Sequence, residues 1–289
     1  MTLIGAHVSS AGGCSRAFER GTSIGAEAIQ LFLSAPQRWK GPAISDDERV
    51  RFRRAKDKTG LPVFAHAAYL VNLASPDDAL VARSTALLGE QLALCGELGI
   101  EGLVFHLGSH LGAGFETVLP QVSGVLRDLS ENTSGGARLI IENNAGQGGG
   151  VGTTFAEIGA LVDAAGGHPR LALCLDTCHA FACGYDLTGP VGVEAAMAEL
   201  AERIGEDRLV VIHANDSKTP LGGLRDRHEN IGDGHLGLAS FAALMSHPLV
   251  ARVPFVMEVP GVNGGGPDRE NVLRLKAIRA GIEASAARS

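Results

Sequence analysis

The chain has 289 residues, of which 45% are hydrophobic and 20% charged, and its formal net charge is −7 at pH 7. This length suits one large core, and the absence of Pro/Ser-rich linkers and low-complexity blocks predicts a single domain over residues 1–289. The acidic charge argues mildly against a nucleic-acid partner, unless the carboxylates bind metal ions.

Eight short apolar runs with the character of buried strands alternate with longer segments of helical pattern. In chain order the runs are Leu3–Val8, Ala28–Leu33, Pro62–His66, Gly102–Leu107, Arg138–Glu142, Leu171–Asp176, Leu209–His213 and Pro254–Val259. Asp77–Leu98 is typical of the segments between them, because its leucines recur near helical spacing. Eight strand–helix repeats predict an α/β fold, a closed TIM-type (β/α)8 barrel. An open doubly wound sheet is the alternative, but no GxGxxG turn follows the first run.

In seven of the eight predicted strands, the last residue or the one before it can bind a metal ion. In chain order these residues are His7, His66, His106, Glu142, Asp176, His213 and Glu258. The carboxyl ends of the strands of a TIM barrel meet at one mouth, where active sites lie. Carboxylates gathered there would repel one another and be costly to bury. The pattern therefore predicts a multivalent cation centre.

Further candidates lie in the loops after the sixth and seventh strands. His179 follows Asp176 by three residues, and Asp226 and His228 are two apart, which places them on one face of an extended segment. We set His7 aside as a group that supports a ligand. The remaining candidate ligands are His66, His106, His179, His213, His228, Glu142, Asp176, Asp226 and Glu258. Catalytic zinc takes about three protein ligands, so nine predict three sites. The mixture of imidazole and carboxylate favours Zn²⁺, with Mn²⁺ or Fe²⁺ as alternatives.

Targeting signals and cysteine usage bear on where the protein acts. The N-terminal segment has no basic stretch followed by an apolar one, and no apolar run reaches the ~20 residues of a membrane span. The five cysteines are an odd number without a CxxC pair, which favours packed, reduced thiols. We therefore expect a cytoplasmic protein without a membrane partner. A monomer is the default expectation.

At these candidate residues the chain resembles the endonuclease IV family of apurinic/apyrimidinic endonucleases. The matching motifs are Ile4-Gly-Ala-His-Val-Ser, His66-Ala-Ala-Tyr-Leu-Val-Asn-Leu, Glu142-Asn-Asn-Ala-Gly-Gln-Gly, Leu175-Asp-Thr-Cys-His-Ala-Phe, His213-Ala-Asn-Asp-Ser-Lys and Asp226-Arg-His-Glu-Asn-Ile-Gly-Asp-Gly. The resemblance implies hydrolysis on the 5′ side of abasic sites in double-stranded DNA, leaving a 3′-hydroxyl and a 5′-deoxyribose phosphate. It also implies removal of blocked 3′ ends.

The resemblance further implies a trinuclear zinc site in which Glu142 bridges the first two ions. The three implied ligand groups are His66, His106 and Glu142; then Glu142, Asp176, His213 and Glu258; and last His179, Asp226 and His228. Among these ligands, Glu142, Glu258 and His179 are predicted to be catalytic.

The resemblance also implies DNA contacts in the loops after the second and third strands. Tyr69 and Leu70 match residues that fill the gap left by an extruded abasic nucleotide. In the loop after the second strand, Gln37 stands where the family has an inserting arginine, and Arg38 comes one place later. This departure affects the expected contacts with DNA and changes none of the predicted metal ligands.

A metal-dependent sugar isomerase or epimerase on the same barrel is the alternative function, because such enzymes also bind metals at the strand ends. They typically hold one or two ions mostly through carboxylates, with Lys or Glu for proton transfer. Here no predicted strand ends in Lys, and Asp226 and His228 add a third site. The residues therefore favour the endonuclease. A non-catalytic DNA-binding module would have no use for nine converging ligands.

Overall fold

Eight parallel strands close into a barrel in the computed structural model, which describes residues 2–287. The strands of the barrel are β1 (Ile4–His7), β2 (Ala28–Phe32), β3 (Val63–His66), β4 (Gly102–His106), β5 (Arg138–Glu142), β6 (Leu171–Asp176), β7 (Leu209–His213) and β10 (Phe255–Met257). Two short strands, β8 (Asp216–Ser217) and β9 (His228–Glu229), form a separate antiparallel pair. The predicted TIM-type barrel is confirmed.

The predicted strand bounds are close to the observed ones. Three strands match residue for residue, and the other five are shorter than predicted at one or both ends. The largest difference is in the eighth barrel strand, which ends at Met257, so Glu258 follows the strand and does not end it. The barrel closes where β1 pairs with β10, with Ala6 opposite Met257.

Helices follow the strands and surround the barrel. They are α1 (Arg16–Ile24), α2 (Asp46–Thr59), α3 (Asp78–Leu98), α4 (Phe115–Asn132), α5 (Phe155–Ala164), α6 (Thr177–Ala182), α7 (Pro190–Arg203), α8 (Gly237–Ser246) and α9 (Arg269–Ala286). Short 3-10 turns occupy Gln147–Gly149, Glu206–Arg208 and Pro248–Val250. The third helix starts one residue later than predicted, because Asp77 is its N-cap and accepts the backbone N–H of Ala79 at 2.9 Å. Across residues 2–287, none of these helices has the length and apolar character needed to cross a membrane.

The inside of the barrel is filled by a small apolar layer that lies directly beneath the strand ends. Its buried members are Phe64, Val104, Ile140, Ala172, Cys174, Val211 and Val256. Side chains two residues apart on a strand share a face. His106 therefore points into the barrel above Val104, and Glu142 does the same above Ile140. The candidate ligands thus form the next layer of the barrel interior.

The cysteines behave as packed thiols. All five are free, and four of them are buried. Cys183 is only partly buried, which corrects the expectation that every thiol is enclosed, and its S–H donates to the carbonyl of Asn144 at 3.0 Å. Burial raises the pKa of the Cys183 thiol to about 11, so this group is protonated at neutral pH.

Candidate metal centre

The nine predicted ligands lie together at the mouth of the barrel, in three groups. Within each group, one ligand atom of every residue lies within 4.8 Å of the others. The groups are His66, His106 and Glu142; Glu142, Asp176, His213 and Glu258; and His179, Asp226 and His228. A fourth group combines Cys178 with Asp176 and His228. The first three have the composition predicted from the sequence.

Glu142 lies at the centre of the cluster and is fully buried. Its Oε2 is 3.0 Å from His66 Nε2 and 3.4 Å from His106 Nε2. Its Oε1 is 3.1 Å from His213 Nδ1 and 3.3 Å from His179 Nδ1. Burial by itself raises the pKa of this carboxyl group, but the surrounding imidazoles hold the pKa of Glu142 well below its usual range. One carboxylate therefore joins the first two groups.

The hydrogen bonds of His66 and His213 determine which ring nitrogen faces these carboxylates. His66 Nδ1–H donates to the carbonyl of Ala67 at 2.8 Å, which leaves the lone pair of Nε2 towards Glu142. His213 Nε2–H donates to Gln30 Oε1 at 2.9 Å, so His213 Nδ1 faces Glu142 Oε1 and, at 3.3 Å, Glu258 Oε2. A lone pair opposite a carboxylate oxygen is repulsive unless a proton or a metal ion lies between them.

The third group repeats this arrangement. His179 Nδ1–H donates to the carbonyl of Asn143 at 3.0 Å, and its buried Nε2, which has no hydrogen-bond partner, lies 3.3 Å from Asp226 Oδ1. His228 Nδ1 faces the carbonyl of Glu258 at 3.4 Å, and its Nε2 lies 3.1 Å from the same Asp226 oxygen. Histidines that bind metals donate their other ring N–H in this way. The donor set therefore fits a cation in this group as well.

The charges at the mouth are balanced by imidazoles alone. In the described part of the chain, no lysine or arginine forms an ion pair with the four candidate carboxylates, Glu142, Asp176, Asp226 and Glu258. Burying an uncompensated carboxylate costs several kcal/mol. Divalent cations would remove that cost, and a mixture of imidazole nitrogen and carboxylate oxygen donors suits zinc.

Without such cations, the candidate carboxylates shift the pKa values of the histidines beside them. Burial opposes the ionisation of His179, but Asp176, Asp226 and Glu142 raise its pKa well above the usual value. Burial also opposes the ionisation of His228, while Asp176 and Asp226 raise its pKa to about 8. The carboxylates thus attract positive charge to the ring nitrogens that face them, and a metal ion would occupy the place of those protons.

The loop that carries Asp226 and His228 is anchored by a buried carboxylate. Ser217 of β8 lies opposite His228 of β9 in the antiparallel pair. Asp216 is fully buried and accepts five backbone N–H groups, four of them from residues 232–237. This loop is therefore fastened to the end of β7, which places the third group beside the other two.

The predicted DNA-contacting residues lie at the rim of the mouth. Tyr69 is 60% exposed, and its ring lies edge-on to Phe32 with the centroids 5.3 Å apart. Its backbone N–H donates to the carbonyl of Pro36 at 3.0 Å, which ties the loop after β3 to the loop after β2. Gln37 and Arg38 are both exposed in that second loop, whereas Leu70 is partly buried. A cavity of about 530 Å³ opens between this rim and the ligands.

Three buried amide side chains, which the sequence reasoning did not single out, support the candidate ligands. Asn143 pairs with the backbone of Asp176, accepting its N–H at 2.7 Å and donating to its carbonyl at 3.1 Å. Asn215 donates to Asp176 Oδ2 at 2.7 Å and accepts the N–H of Glu258 at 2.8 Å. Gln30, which lies on β2, contacts the candidate ligands His213 and Glu258. Its signal in the sequence is a polar residue inside the apolar run Ala28–Leu33.

The chain is similar to known proteins over most of its length. The family model described as a xylose isomerase-like TIM barrel matches residues 18–284. A protein named probable endonuclease 4 from Chloroflexus aurantiacus is 38% identical, over 98% of this chain and 100% of its own length. The protein of that name from Halorhodospira halophila is 41% identical, over 90% of this chain and 89% of its own.

Solved structures give the same picture. The crystal structure of endonuclease IV from Thermus thermophilus matches with a TM-score of 0.82 at 33% identity, over 98% of this chain and 99% of that one. A D-tagatose 3-epimerase-like protein matches with a TM-score of 0.73 at 16% identity, over 99% of this chain and 100% of that one. The second likeness reflects the shared barrel alone.

Proposed function

The chain belongs to the endonuclease IV family of apurinic/apyrimidinic endonucleases, and from this membership we propose that it hydrolyses double-stranded DNA on the 5′ side of abasic sites. The products are a 3′-hydroxyl and a 5′-deoxyribose phosphate, and blocked 3′ ends are a second substrate. One observation supports this most strongly: at the barrel mouth, five imidazole–carboxylate contacts have nitrogen–oxygen distances of 3.0–3.3 Å, and no lysine or arginine among residues 2–287 pairs with these carboxylates.

Three zinc ions per chain are the cofactors that we propose, with Mn²⁺ or Fe²⁺ as alternatives at some positions. The three groups described above would hold one ion each, and Glu142 would contribute to two of them. When bound, the ions lower the pKa of water and neutralise charge that develops on the phosphate oxygens. We assign Glu142, Glu258 and His179 as catalytic residues, because they reach the cluster from three different elements: the end of β5, the residue after β10, and α6.

The chain's own groups fix the orientation of this cluster. The carbonyls of Ala67 and Asn143 each accept an N–H from a ligand histidine, so the opposite nitrogen of that ring is held towards the mouth. Asn215 holds Asp176 against the backbone of Glu258. Ligands that are positioned before the substrate arrives need no rearrangement when it binds, which favours catalysis.

We propose that Tyr69 and Leu70, with Gln37 and Arg38 from the neighbouring loop, fill the gap in the base stack when the abasic nucleotide enters the mouth. The exposed ring of Tyr69 offers a flat apolar surface for stacking. The hydrogen bond between Tyr69 and Pro36 supports joint action of the two loops, because it fixes their separation at the rim.

A sugar isomerase or epimerase is not favoured. Its proton-transfer chemistry typically needs a lysine or a free carboxylate beside the metal. Among residues 2–287 no lysine side chain pairs with a candidate ligand, and every candidate carboxylate faces an imidazole.

We also propose that residues 1–289 form one domain that acts as a monomer in the cytoplasm.

The test is incubation of the purified protein with a duplex that contains one abasic site, with and without a chelator. We expect a single cut on the 5′ side of the lesion and a 3′-hydroxyl end, lost with chelator and restored by Zn²⁺. An undamaged duplex is the control and should stay intact. Cutting on the 3′ side, or full activity in chelator with no metal detected by elemental analysis, would contradict the proposal.

A further inference from the structure

No candidate ligand lies on β2, but the side chain of Gln30 on this strand contacts the candidate ligands His213 and Glu258. We propose that Gln30 is a positioning residue that sets the tautomer of His213 and the orientation of Glu258. Through both contacts it would determine how tightly the group of Glu142, Asp176, His213 and Glu258 holds its metal ion. This inference rests on the proposed metal centre and adds to it a residue that binds no metal itself.

The contact with His213 concerns the protonation of its ring. Gln30 is fully buried, and its Oε1 accepts the Nε2–H of His213 at 2.9 Å. An amide oxygen cannot donate, so this hydrogen bond requires the proton on Nε2. The lone pair of His213 is thereby directed from Nδ1 towards Glu142 and Glu258. Removal of Gln30 would take away the amide oxygen that holds the proton on Nε2.

The contact with Glu258 concerns which of its two carboxylate oxygens faces His213. Gln30 Nε2–H donates to Glu258 Oε1 at 2.8 Å, and His7 Nδ1 lies 2.7 Å from the same oxygen. Glu258 Oε1 is therefore engaged by both neighbours. Glu258 Oε2 is left to face His213 Nδ1 at 3.3 Å. Rotation of this carboxylate would break both hydrogen bonds.

Few side chains could replace glutamine at this position. The two contacts need an acceptor and a donor on one planar group, at the end of a side chain long enough to pass the apolar layer. Leucine has a similar volume but neither group, and asparagine has both groups on a shorter side chain. Outer hydrogen-bond partners of metal ligands commonly change metal affinity by about 10–100-fold when replaced.

A purely structural role is the competing explanation, and Gln91 supplies a matched control. Gln91 is also a buried glutamine, 1% exposed, and its Nε2–H donates to Ser34 Oγ at 3.1 Å. It lies on α3, outside the barrel interior. Gln91→Leu should lower stability in the same way as Gln30→Leu, but it removes no contact with a candidate ligand.

The experiment compares wild type, Gln30→Leu, Gln30→Asn and Gln91→Leu by chelator competition and elemental analysis. We expect wild type and Gln91→Leu to retain about three zinc ions with equal affinity. The most weakly held ion of Gln30→Leu should dissociate with an affinity lower by about 10–100-fold. Gln30→Asn conserves the polarity and serves if the leucine variant does not fold, with an expected loss of about tenfold.

A second measurement uses metal-free protein. The ring nitrogens of His213, observed by NMR at a pH high enough for the ring to be neutral, should report the Nε2–H tautomer in wild type and a mixture of tautomers in the Gln30 variants. The inference is overturned if wild type holds three ions while both Gln30 variants bind zinc with wild-type affinity, or if the tautomer is unchanged. A wild-type chain that holds no metal would instead refute the proposed function.

Discussion

Replacing Tyr69 by alanine tests the proposal that Tyr69 contributes to DNA binding and takes no part in hydrolysis. The ring is 60% exposed, so about two fifths of a side chain that can bury roughly 150–250 Å² is in contact with the protein. At ~25 cal/mol per Å², truncation then costs about 2 kcal/mol of folding stability as an upper bound. Stacking of one base on an aromatic ring is worth about 1–3 kcal/mol, which corresponds to a loss of about 5–150-fold in affinity.

The assay measures binding of an abasic duplex and, separately, hydrolysis of a small chromogenic phosphodiester. Tyr69→Ala should weaken the binding by the factor above and leave the small-substrate rate within about twofold. Tyr69→Phe keeps the ring and should bind nearly as wild type. Val191→Ala controls for the loss of an exposed apolar group, since Val191 is 86% exposed on α7. The Tyr69 ring also lies 6.0 Å from that of His66. Equal slowing of both reactions by Tyr69→Ala would mean that the ring acts at the metal centre, and the stacking role would be abandoned.

Four further outcomes are expected. Glu142→Gln should reduce abasic-site cleavage by about a thousandfold or more and lower the zinc content, because one carboxylate serves two ligand groups; near-normal cleavage with three ions retained would contradict the bridge. His179→Ala should lose about one ion of three by elemental analysis, and loss of all three would show that the groups are not separable. Gln37→Arg should tighten binding of abasic duplex by up to about tenfold in a fluorescence titration, since a guanidinium adds charge near the phosphates; weaker binding would show that the assumed loop register is wrong. The pKa of Glu27 is lowered to about 2, because burial is outweighed by Arg279 and Lys276, so its stabilising contribution is complete above pH 4.5 and is lost as the pH falls towards 2. Glu27→Gln should therefore lower the free energy of unfolding at pH 7 by about 1–2 kcal/mol and flatten its dependence on pH in that acid range; an unchanged acid transition would refute the assignment.

The candidate ligands were predictable because strand periodicity is a local property. Alternation along β4 and β5 puts His106 and Glu142 on the inner face, and in a parallel barrel every such strand end points to the same mouth. Asp226 and His228 were weaker candidates from their spacing of two alone, and the family motif that contains them supplied the prediction. What local spacing did not reveal is the anchor of their loop, Asp216, whose hydrogen-bond partners lie up to 21 residues away.

The rim was predicted less completely. Tyr69 and Leu70 were identified from a motif, and the structure adds that Tyr69 is exposed while Leu70 is partly buried. The hydrogen bond from Tyr69 to Pro36 joins two loops that no sequence pattern connects. Loop conformations depend on contacts between segments, whereas strand alternation depends on the chain's own backbone.

By itself the sequence determined the barrel and the candidate ligands at or next to its strand ends, because both follow from short-range periodicity repeated eight times. His179, Asp226 and His228 lie outside the barrel strands and were assigned to the site from the family motifs. Only the tertiary structure decided which nitrogen of each histidine faces the carboxylates. That choice depends on partners such as Gln30, which lies 183 residues from His213 and 228 from Glu258 in the chain. Such partners meet only when β1 pairs with β10 and the barrel closes, since closure sets the register of β2 against β7 and the end of β10. Donor–acceptor matching at the centre of the barrel is therefore a property of the closed sheet, and no single strand encodes it.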